Sequence, residues 1–249
     1  MLIKACLNGG TTRDEHPSVP QTPDELAAEA VAAVRAGAGA VHLHPRDASG
    51  AETLDAEAVL AAVAAVRAAV PATPVGVTTG LWIAGGDPAH RMTQVSRWTG
   101  NGKPDFASVN VSEPGAHELA GLLGEMGIAV EAGVWSVSDA NQLAVSDFGG
   151  HLLRILIEPH DETPEVAVAV AVAADVEAAL NSHGFAAPRL HHGYGLATWH
   201  VLSAAIRLGR DIRVGLEDTT VLPDGRVAGG NGALVEAAGR LAAELSHSS

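Results

Sequence analysis

Eight short apolar runs recur along the chain, separated by segments rich in alanine and charged residues. Most of the runs are rich in β-branched residues, which is typical of buried parallel strands. The runs occupy residues 2–7, 40–44, 74–78, 105–110, 129–133, 152–157, 189–192 and 212–216. The pattern therefore predicts eight buried strands in regular succession.

The segments between the runs have the apolar spacing of amphipathic helices, as in "TPDELAAEAVAAVRAGA" and "ALVEAAGRLAAEL". In the first of these, Thr22 suits the N-cap, Pro23 the first helical position and Glu25 the partner residue of a capping box. Gly37 suits the end of the same helix. Eight strand-helix units without a linker predict a (β/α)8 TIM barrel, which we expect to form one domain over residues 1–249.

Composition narrows the range of partners. The formal net charge of −14 argues against binding to nucleic acids or anionic membranes, because phosphate groups need a positive field. The single cysteine, Cys6, excludes an intramolecular disulfide, and no uninterrupted apolar stretch reaches the length of a membrane span. We therefore expect a cytoplasmic protein that acts on small molecules.

Polar residues gather at the carboxyl ends of the predicted strands, which is where the active sites of such barrels lie. These residues include Asn8, His42, His44, Arg46, Thr78, Ser108, Asn110, Glu131, Glu158, His160, His191, His192, Glu217 and Asp218. A purely structural scaffold would not need a polar group at the same end of almost every strand. The pattern therefore favours a functional site at the barrel mouth.

Within "AVHLHPRD", His42 and His44 stand at positions i and i+2 of a strand and so share one face. Two imidazoles and one carboxylate make the protein ligand set of a catalytic zinc site. The strand before Glu217 and the strand of the histidines both flank the first strand in a closed barrel, so we predict Glu217 as the third ligand. The alternative is that both histidines are hydrogen-bonded core residues.

The chain has only two lysines, Lys4 inside the first strand and Lys103 before the fourth. Neither lies at a carboxyl end, where a Schiff base would have to form, so a lysine-dependent aldolase is disfavoured. The same distribution disfavours a two-metal hydrolase bridged by a modified lysine.

The motifs "NGGTTRDEHPSVPQTPDEL", "GAGAVHLHPRDASG", "TTG", "SVN" and "DIRVGLEDTTVLPDGRVAGGNGALV" together resemble the β-keto acid cleavage enzymes, and the resemblance extends over nearly the whole chain. It implies a zinc-dependent (β/α)8 barrel that transfers the acyl part of a β-keto acid onto CoA. Acetyl-CoA would be the co-substrate and acetoacetate the second product. It also suggests a homo-oligomer, in the form of a tetramer.

The resemblance implies a role for each matching residue. His42, His44 and Glu217 would hold zinc, Asp218 would be the general base, and Arg213 would stand beside that base. Thr78 occupies the position at which the family often has serine. The residues that would contact the substrate are Thr79, Gly80, Ser108 and Asn110, with Arg46 supplying further positive charge. The alternative interpretations are structural, namely an Arg213–Asp218 ion pair, a turn residue at position 78 and loop hydrogen bonds from Ser108 and Asn110.

Some positions depart from the family pattern. Gly10 stands where the relatives that act on aminohexanoates have an acid for the ammonium group, which argues against an amino-bearing substrate. An expected Glu-x-Glu on the fifth strand reads Glu131-Ala-Gly133, the residue after Asp218 is Thr219, and "EPHDETPE" replaces a glycine-rich loop. Two other functions therefore stay open: a zinc-dependent lyase or hydrolase that needs no CoA, and a zinc-binding barrel without catalysis.

Overall fold

The computed structural model describes residues 1–100, 102–146, 148, 152–159 and 165–246. Its eight strands pair in parallel and in chain order, and β1 also pairs with β8, so that the sheet closes into a barrel. The strands are β1 Ile3–Cys6, β2 Ala40–Leu43, β3 Val75–Thr78, β4 Phe106–Asn110, β5 Ala129–Val134, β6 Leu152–Ile157, β7 Arg189–His191 and β8 Asp211–Val214. The prediction of a (β/α)8 barrel is confirmed.

One α-helix follows each strand on the outside of the barrel. The helices are α1 Pro23–Arg35, α2 Ala56–Ala69, α3 Pro88–Val95, α4 Ala116–Glu125, α5 Val137–Val145, α6 Val166–Ser182, α7 Thr198–Arg207 and α8 Asn231–Ser246. The predicted capping box is present, because the Thr22 side chain accepts from the backbone N–H of Glu25 while the Glu25 side chain accepts from the backbone N–H of Thr22. No helix of the described ranges has both the length and the apolar composition that a membrane span needs.

Alternating strand residues divide the interior into two regions. On β2, Val41 and Leu43 belong to the apolar core between sheet and helices, which also includes Val59 and Val63 of α2. His42, between them, points to the barrel interior and lines a cavity there. The alternation on this strand therefore sends an imidazole inward while its neighbours pack under the helices.

Four strands, β1, β2, β7 and β8, end one or two residues earlier than predicted, and the ends of β2 and β8 concern the predicted ligands. β2 stops at Leu43, because the backbone N–H and carbonyl of His44 bind the side chain of Asn8 instead of a neighbouring strand. β8 stops at Val214, since Gly215 lies against the backbone of Cys6 and accepts a turn hydrogen bond from the Asp218 N–H. His44, Glu217 and Asp218 therefore stand on loops at the mouth.

The prediction that Glu131 joins the mouth is wrong. Glu131 lies within β5 and forms a fully buried ion pair with Lys4 of β1, while Arg154 of β6 approaches its other oxygen at 3.4 Å. Both cations lie beside the ring of Phe106. The charge of Glu131 is thus compensated inside the barrel, because an unpaired carboxylate there would be costly.

The opposite rim of the barrel, at the amino ends of the strands, carries Lys103. This residue precedes β4 and is partly buried, and its Nζ donates to the carbonyl of Met126. Residues 160–164, which include His160 and most of the loop "EPHDETPE", lie outside the described residues. The predictions of one domain over residues 1–249 and of a tetramer stay predictions.

Candidate active site

A cavity of about 140 Å³ opens at the carboxyl ends of the strands; we call it the mouth cavity. Its lining comes from almost every strand of the barrel. The lining residues are His42, His44, Thr78, Trp82, Ser108, Asn110, Trp135, Leu156, Glu158, Tyr194, Arg213 and Glu217. The lining includes the three predicted metal ligands. It also includes four other predicted site residues, namely Thr78, Ser108, Asn110 and Arg213.

His42, His44 and Glu217 converge at one side of the mouth cavity, and one ligand atom of each lies within 4.8 Å of the others. His44 Nε2 is 3.1 Å from His42 Nε2 and 3.4 Å from Glu217 Oε1. His42 Nε2 is 3.9 Å from Glu217 Oε2, a buried oxygen that accepts no hydrogen bond from the described residues. These atoms therefore face a common point.

The spacing suits a tetrahedral metal ion. With metal–nitrogen distances of about 2.0–2.1 Å, tetrahedral geometry separates ligand atoms by about 3.3–3.4 Å. Burial lowers the pKa of His42 well below its usual value, and this outweighs the carboxylate of Glu217, which raises it. A neutral His42 offers a lone pair to a cation. The donor set of two imidazoles and one carboxylate fits zinc, with a position left for substrate.

Glycine at position 9 lets Glu217 reach this point. Gly9 has a φ of +53°, and a Cβ there would overlap the side chain of Glu217. Asn8, the residue before it, fixes the backbone of His44 by two hydrogen bonds. The loop after β1 thus positions a ligand from each of its neighbours, because β1 lies between β2 and β8 in the barrel.

Glu52 orients His44. The His44 Nδ1–H donates to Glu52 Oε1, so the other ring nitrogen, Nε2, faces the other two candidate ligands. The second Glu52 oxygen accepts from Trp82 Nε1 at 3.1 Å, and the Trp82 ring stacks on the His44 ring. Burial lowers the pKa of His44, but Glu217 and Glu52 outweigh it and raise the pKa to about 9. A carboxylate behind a histidine ligand is common at metal sites.

We expect the substitution Glu52→Gln to weaken metal binding about 10- to 100-fold, since the glutamine cannot fix the His44 tautomer as a carboxylate does. Competition with a zinc chelator, read as metal content at equilibrium, measures this. The matched control is Glu57→Gln, because Glu57 lies on the exposed first turn of α2. Equal zinc affinities of the E52Q variant and the parent would contradict the role of Glu52.

Arg213 connects three carboxylates at the mouth cavity. Its Nε and Nη2 donate to Asp218 Oδ1 at 3.1 and 2.7 Å, and Nη2 also donates to Glu217 Oε1. Its Nη1 lies 3.9 Å from Glu158 Oε2. Burial lowers the pKa of Arg213, but Asp218 and Glu217 raise it more, so the guanidinium stays charged. The same residue therefore holds both the candidate metal ligand Glu217 and its neighbour Asp218.

Four predicted site residues, all in the described part of the chain, do not line the mouth cavity. The Thr79 hydroxyl donates to the carbonyl of Ser108, and Gly80 lies under the Trp82 ring. Arg46 donates to the carbonyls of Gly9 and Thr11, so it supports the loop after β1. Asp218 is 3% exposed and lies behind Arg213.

The predicted residues on β3 and β4 do reach the cavity. Thr78 is almost fully buried, and its hydroxyl accepts from the Gly80 N–H at 3.1 Å. Asn110 donates to Glu113 Oε1 at 2.9 Å, and Glu113 is in turn paired with Arg91. Ser108 lies two residues before Asn110 on the same face of β4. Thr78, Ser108 and Asn110 thus offer neutral polar groups to a bound molecule.

The adjacent histidines at the end of β7 face opposite ways, as strand alternation requires. His191 points outward to Glu177 of α6, with 3.2 Å between Nε2 and Oε2. His192 points inward, where Nε2 is 2.8 Å from Glu158 Oε2 and Nδ1 is 3.3 Å from Asp218 Oδ1. His192 therefore lies behind the cavity wall and connects two carboxylates.

Sequence reasoning gave no role to Trp82, Trp135 or Tyr194, although all three line the mouth cavity. Trp135 follows β5 and donates its Nε1–H to Glu158, and Tyr194 packs edge-on against His192. Trp82 is 52% exposed, which is unusual for so large an apolar ring and marks it as part of the cavity rim. Its exposure cannot be deduced from the sequence.

The chain is similar in sequence to known proteins over nearly its whole length. A sequence model of the family described as beta-keto acid cleavage enzyme matches residues 1–146 and 166–248. The chain is 28% identical to the 3-keto-5-aminohexanoate cleavage enzyme of Fusobacterium nucleatum, over 98% of this chain and 92% of that protein. It is 27% identical to the enzyme of that description from Acetoanaerobium sticklandii, with the same shares covered.

Solved structures with a similar fold include ObcA in a ternary complex with a C4-CoA adduct and oxalate. That structure superposes with a TM-score of 0.73 at 20% sequence identity, over 93% of this chain and 64% of the ObcA chain. The binary complex of ObcA with oxaloacetate gives a TM-score of 0.71 at 19% identity, over 93% of this chain and 67% of that one. This chain thus spans about two thirds of the length of ObcA, and the likeness concerns the fold.

Proposed function

The chain belongs to the family of β-keto acid cleavage enzymes, and we propose that it uses zinc to transfer the acyl part of a β-keto acid onto CoA, with acetyl-CoA as co-substrate and acetoacetate as second product. The observation that carries the proposal is the convergence of His42, His44 and Glu217 on one point of a cavity that Arg213 also lines. Two other candidate functions are a CoA-independent lyase or hydrolase and a non-catalytic barrel. An assay with and without acetyl-CoA distinguishes both from the proposed function.

His42, His44 and Glu217 would hold the metal. When bound there, zinc acts as a Lewis acid and makes the C2 protons of a 3-keto acid easier to remove. Arg213 neutralises part of the negative charge that Glu217, Asp218 and the substrate carboxylate bring together. Thr78, Ser108 and Asn110 would position the acid by hydrogen bonds from the wall of the cavity.

Asp218 is our proposed general base. Its position next to Glu217 places it beside the metal site, and the hydrogen bonds from Arg213 fix the direction of its carboxylate. It would take a proton from C2 of the keto acid, either directly or through one water molecule. The resulting carbanion attacks the thioester carbonyl of acetyl-CoA, and CoA thiolate leaves. Thiolate then adds to the original keto carbon, and the C2–C3 bond breaks with its electron pair on C2. The proton held by Asp218 would return to C2, which gives acetoacetate beside the new CoA ester.

The test is an assay of zinc-loaded protein with a panel of 3-keto acids, with and without acetyl-CoA. We expect a CoA ester and acetoacetate in equal amounts, and only when acetyl-CoA is present. Turnover in the absence of any thioester would overturn the proposal in favour of a CoA-independent lyase or hydrolase. Zinc binding without turnover of any acid on the panel would favour the non-catalytic barrel.

A further inference from the structure

Glu158 is a buried carboxylate in the wall of the mouth cavity, and neither the metal set nor the proposed base accounts for it. It is 5% exposed and directly follows β6. In an eight-stranded barrel with strands in chain order, β6 lies diametrically opposite β2, which carries His42. Glu158 therefore faces the metal site from across the cavity.

The surroundings of Glu158 form a built site for its carboxylate. Trp135 Nε1 donates to Oε1 at 2.8 Å, and His192 Nε2 lies 2.8 Å from Oε2. A Cβ at Gly133 would overlap Oε1, so the missing side chain at this position provides the space that Glu158 fills. The end of β5 thus holds one oxygen and makes room for the carboxylate, and the residue after β7 holds the other oxygen.

The charge of Glu158 is retained despite its burial. Burial raises its pKa, but the hydrogen bond from His192 and the nearby charges of His192 and Arg213 outweigh this and lower the pKa below its usual value. An ionised carboxylate only accepts hydrogen bonds. Each oxygen can accept more than one, so the oxygens that bind Trp135 and His192 keep capacity for a ligand.

We propose that Glu158 determines substrate specificity by accepting a hydrogen bond from a donor group, a hydroxyl or an ammonium, at the end of the keto acid away from the metal. This inference rests on the proposed function, since it assumes that the keto group and carboxylate of the acid lie at the metal side. A purely alkyl end would lie against the carboxylate without a hydrogen bond to it, and a second carboxylate would be repelled. Arg46 and Gly10 lie elsewhere on the rim. Glu158 therefore offers a carboxylate to the end of the keto acid away from the metal, whereas the loop after β1 has no acidic residue at position 10.

The experiment compares 3-keto acids of equal chain length that end in an alkyl, hydroxyl, ammonium or carboxylate group. For the parent protein we expect kcat/KM about 10- to 100-fold higher for the better of the two donor-bearing acids than for the alkyl acid. In the Glu158→Gln variant we expect most of this preference for a donor-bearing acid over the alkyl acid to be lost. Comparison of the hydroxyl acid with the ammonium acid shows which donor the protein favours. In the variant, glutamine can still accept a hydrogen bond from either donor, but it no longer offers a charge.

Two further variants keep the test independent of folding. Gly133→Ala, whose Cβ would overlap both Glu158 Oε1 and Asn110 Oδ1, displaces the carboxylate without removing it and is expected to reduce the same preference. Glu177→Gln is the matched control, since Glu177 is also buried and also holds a histidine, but it belongs to α6 and does not line the cavity. Its thermal stability will fall while the order of substrates stays as in the parent.

Direct binding of the same acids to the zinc-loaded protein, measured by calorimetry without acetyl-CoA, separates the two proposals. If no acid is turned over but donor-bearing acids bind more tightly, and this preference disappears in E158Q, the proposed function fails and the specificity inference stands. Equal preferences in parent and E158Q would overturn the inference. So would a loss of activity in E158Q that is the same for every acid, because it would assign Glu158 to CoA or to the chemistry.

Discussion

Replacing His42 by alanine is expected to give a folded protein that binds little zinc and has a kcat/KM at least about 10³-fold below the parent. Stabilisation of charge by a metal ion contributes several kcal/mol to a transition state, and each ~1.4 kcal/mol changes a rate tenfold. The two imidazoles and Glu217 share one point, so the loss of one ligand leaves an incomplete site. Metal analysis by mass spectrometry and steady-state kinetics measure both effects.

A buried histidine away from the cavity provides the control for His42→Ala. His16 is buried and binds the carbonyl of Ala228, so His16→Ala removes packing and a hydrogen bond but no ligand. We expect it to lower the melting temperature while zinc content stays near that of the parent. An H42A variant with full zinc occupancy would refute the ligand assignment, whatever its activity.

The second large effect is expected for Asp218→Asn, which keeps the size of the side chain and removes its basicity. The loss of a general base typically lowers kcat about 10²- to 10⁴-fold. Zinc content should match the parent, since Asp218 contacts Arg213 and His192 and is not one of the three converging ligands. A fall in kcat with unchanged zinc content separates this variant from the ligand variants.

Glu158 is the alternative base, because it lines the mouth cavity and Asp218 does not. The pair Asp218→Asn and Glu158→Gln distinguishes the two assignments when both variants are assayed with the same alkyl acid. Our assignment requires a large loss of kcat in D218N and a small loss of kcat in E158Q. Near-normal turnover in D218N would remove Asp218 from the mechanism.

The fold could be predicted because its signal is periodic and local. Eight apolar runs alternate with helical segments, and the capping box of Thr22 and Glu25 is a short-range motif. The meeting of His42, His44 and Glu217 also followed from the sequence, once strand alternation and ring closure were assumed. These steps need only residue spacing and the order of strands in a closed sheet.

What the sequence did not reveal depends on contacts between distant loops. The bonds from Glu52 to His44 and Trp82 arise where the loop after β2 folds back on itself. The site of Glu158 needs Trp135 and the space at Gly133, which belong to the end of β5, and His192, which follows β7. Glu131 was misplaced because strand alternation gives the face of a residue but not its depth along the barrel axis. Glu131 lies three residues before the end of β5, at a depth where it meets Lys4 of β1.

The distribution of lysines has a practical consequence. Lys4 is sealed inside the barrel, and Lys103 lies on the rim opposite the mouth cavity, at the amino ends of the strands. Reagents that couple to lysine side chains will therefore find their target on the far rim. Protein immobilised on beads or a sensor chip through Lys103 will therefore expose the mouth cavity to the solution. Binding of keto acids to the immobilised protein can then be measured without blocking the entrance of the cavity.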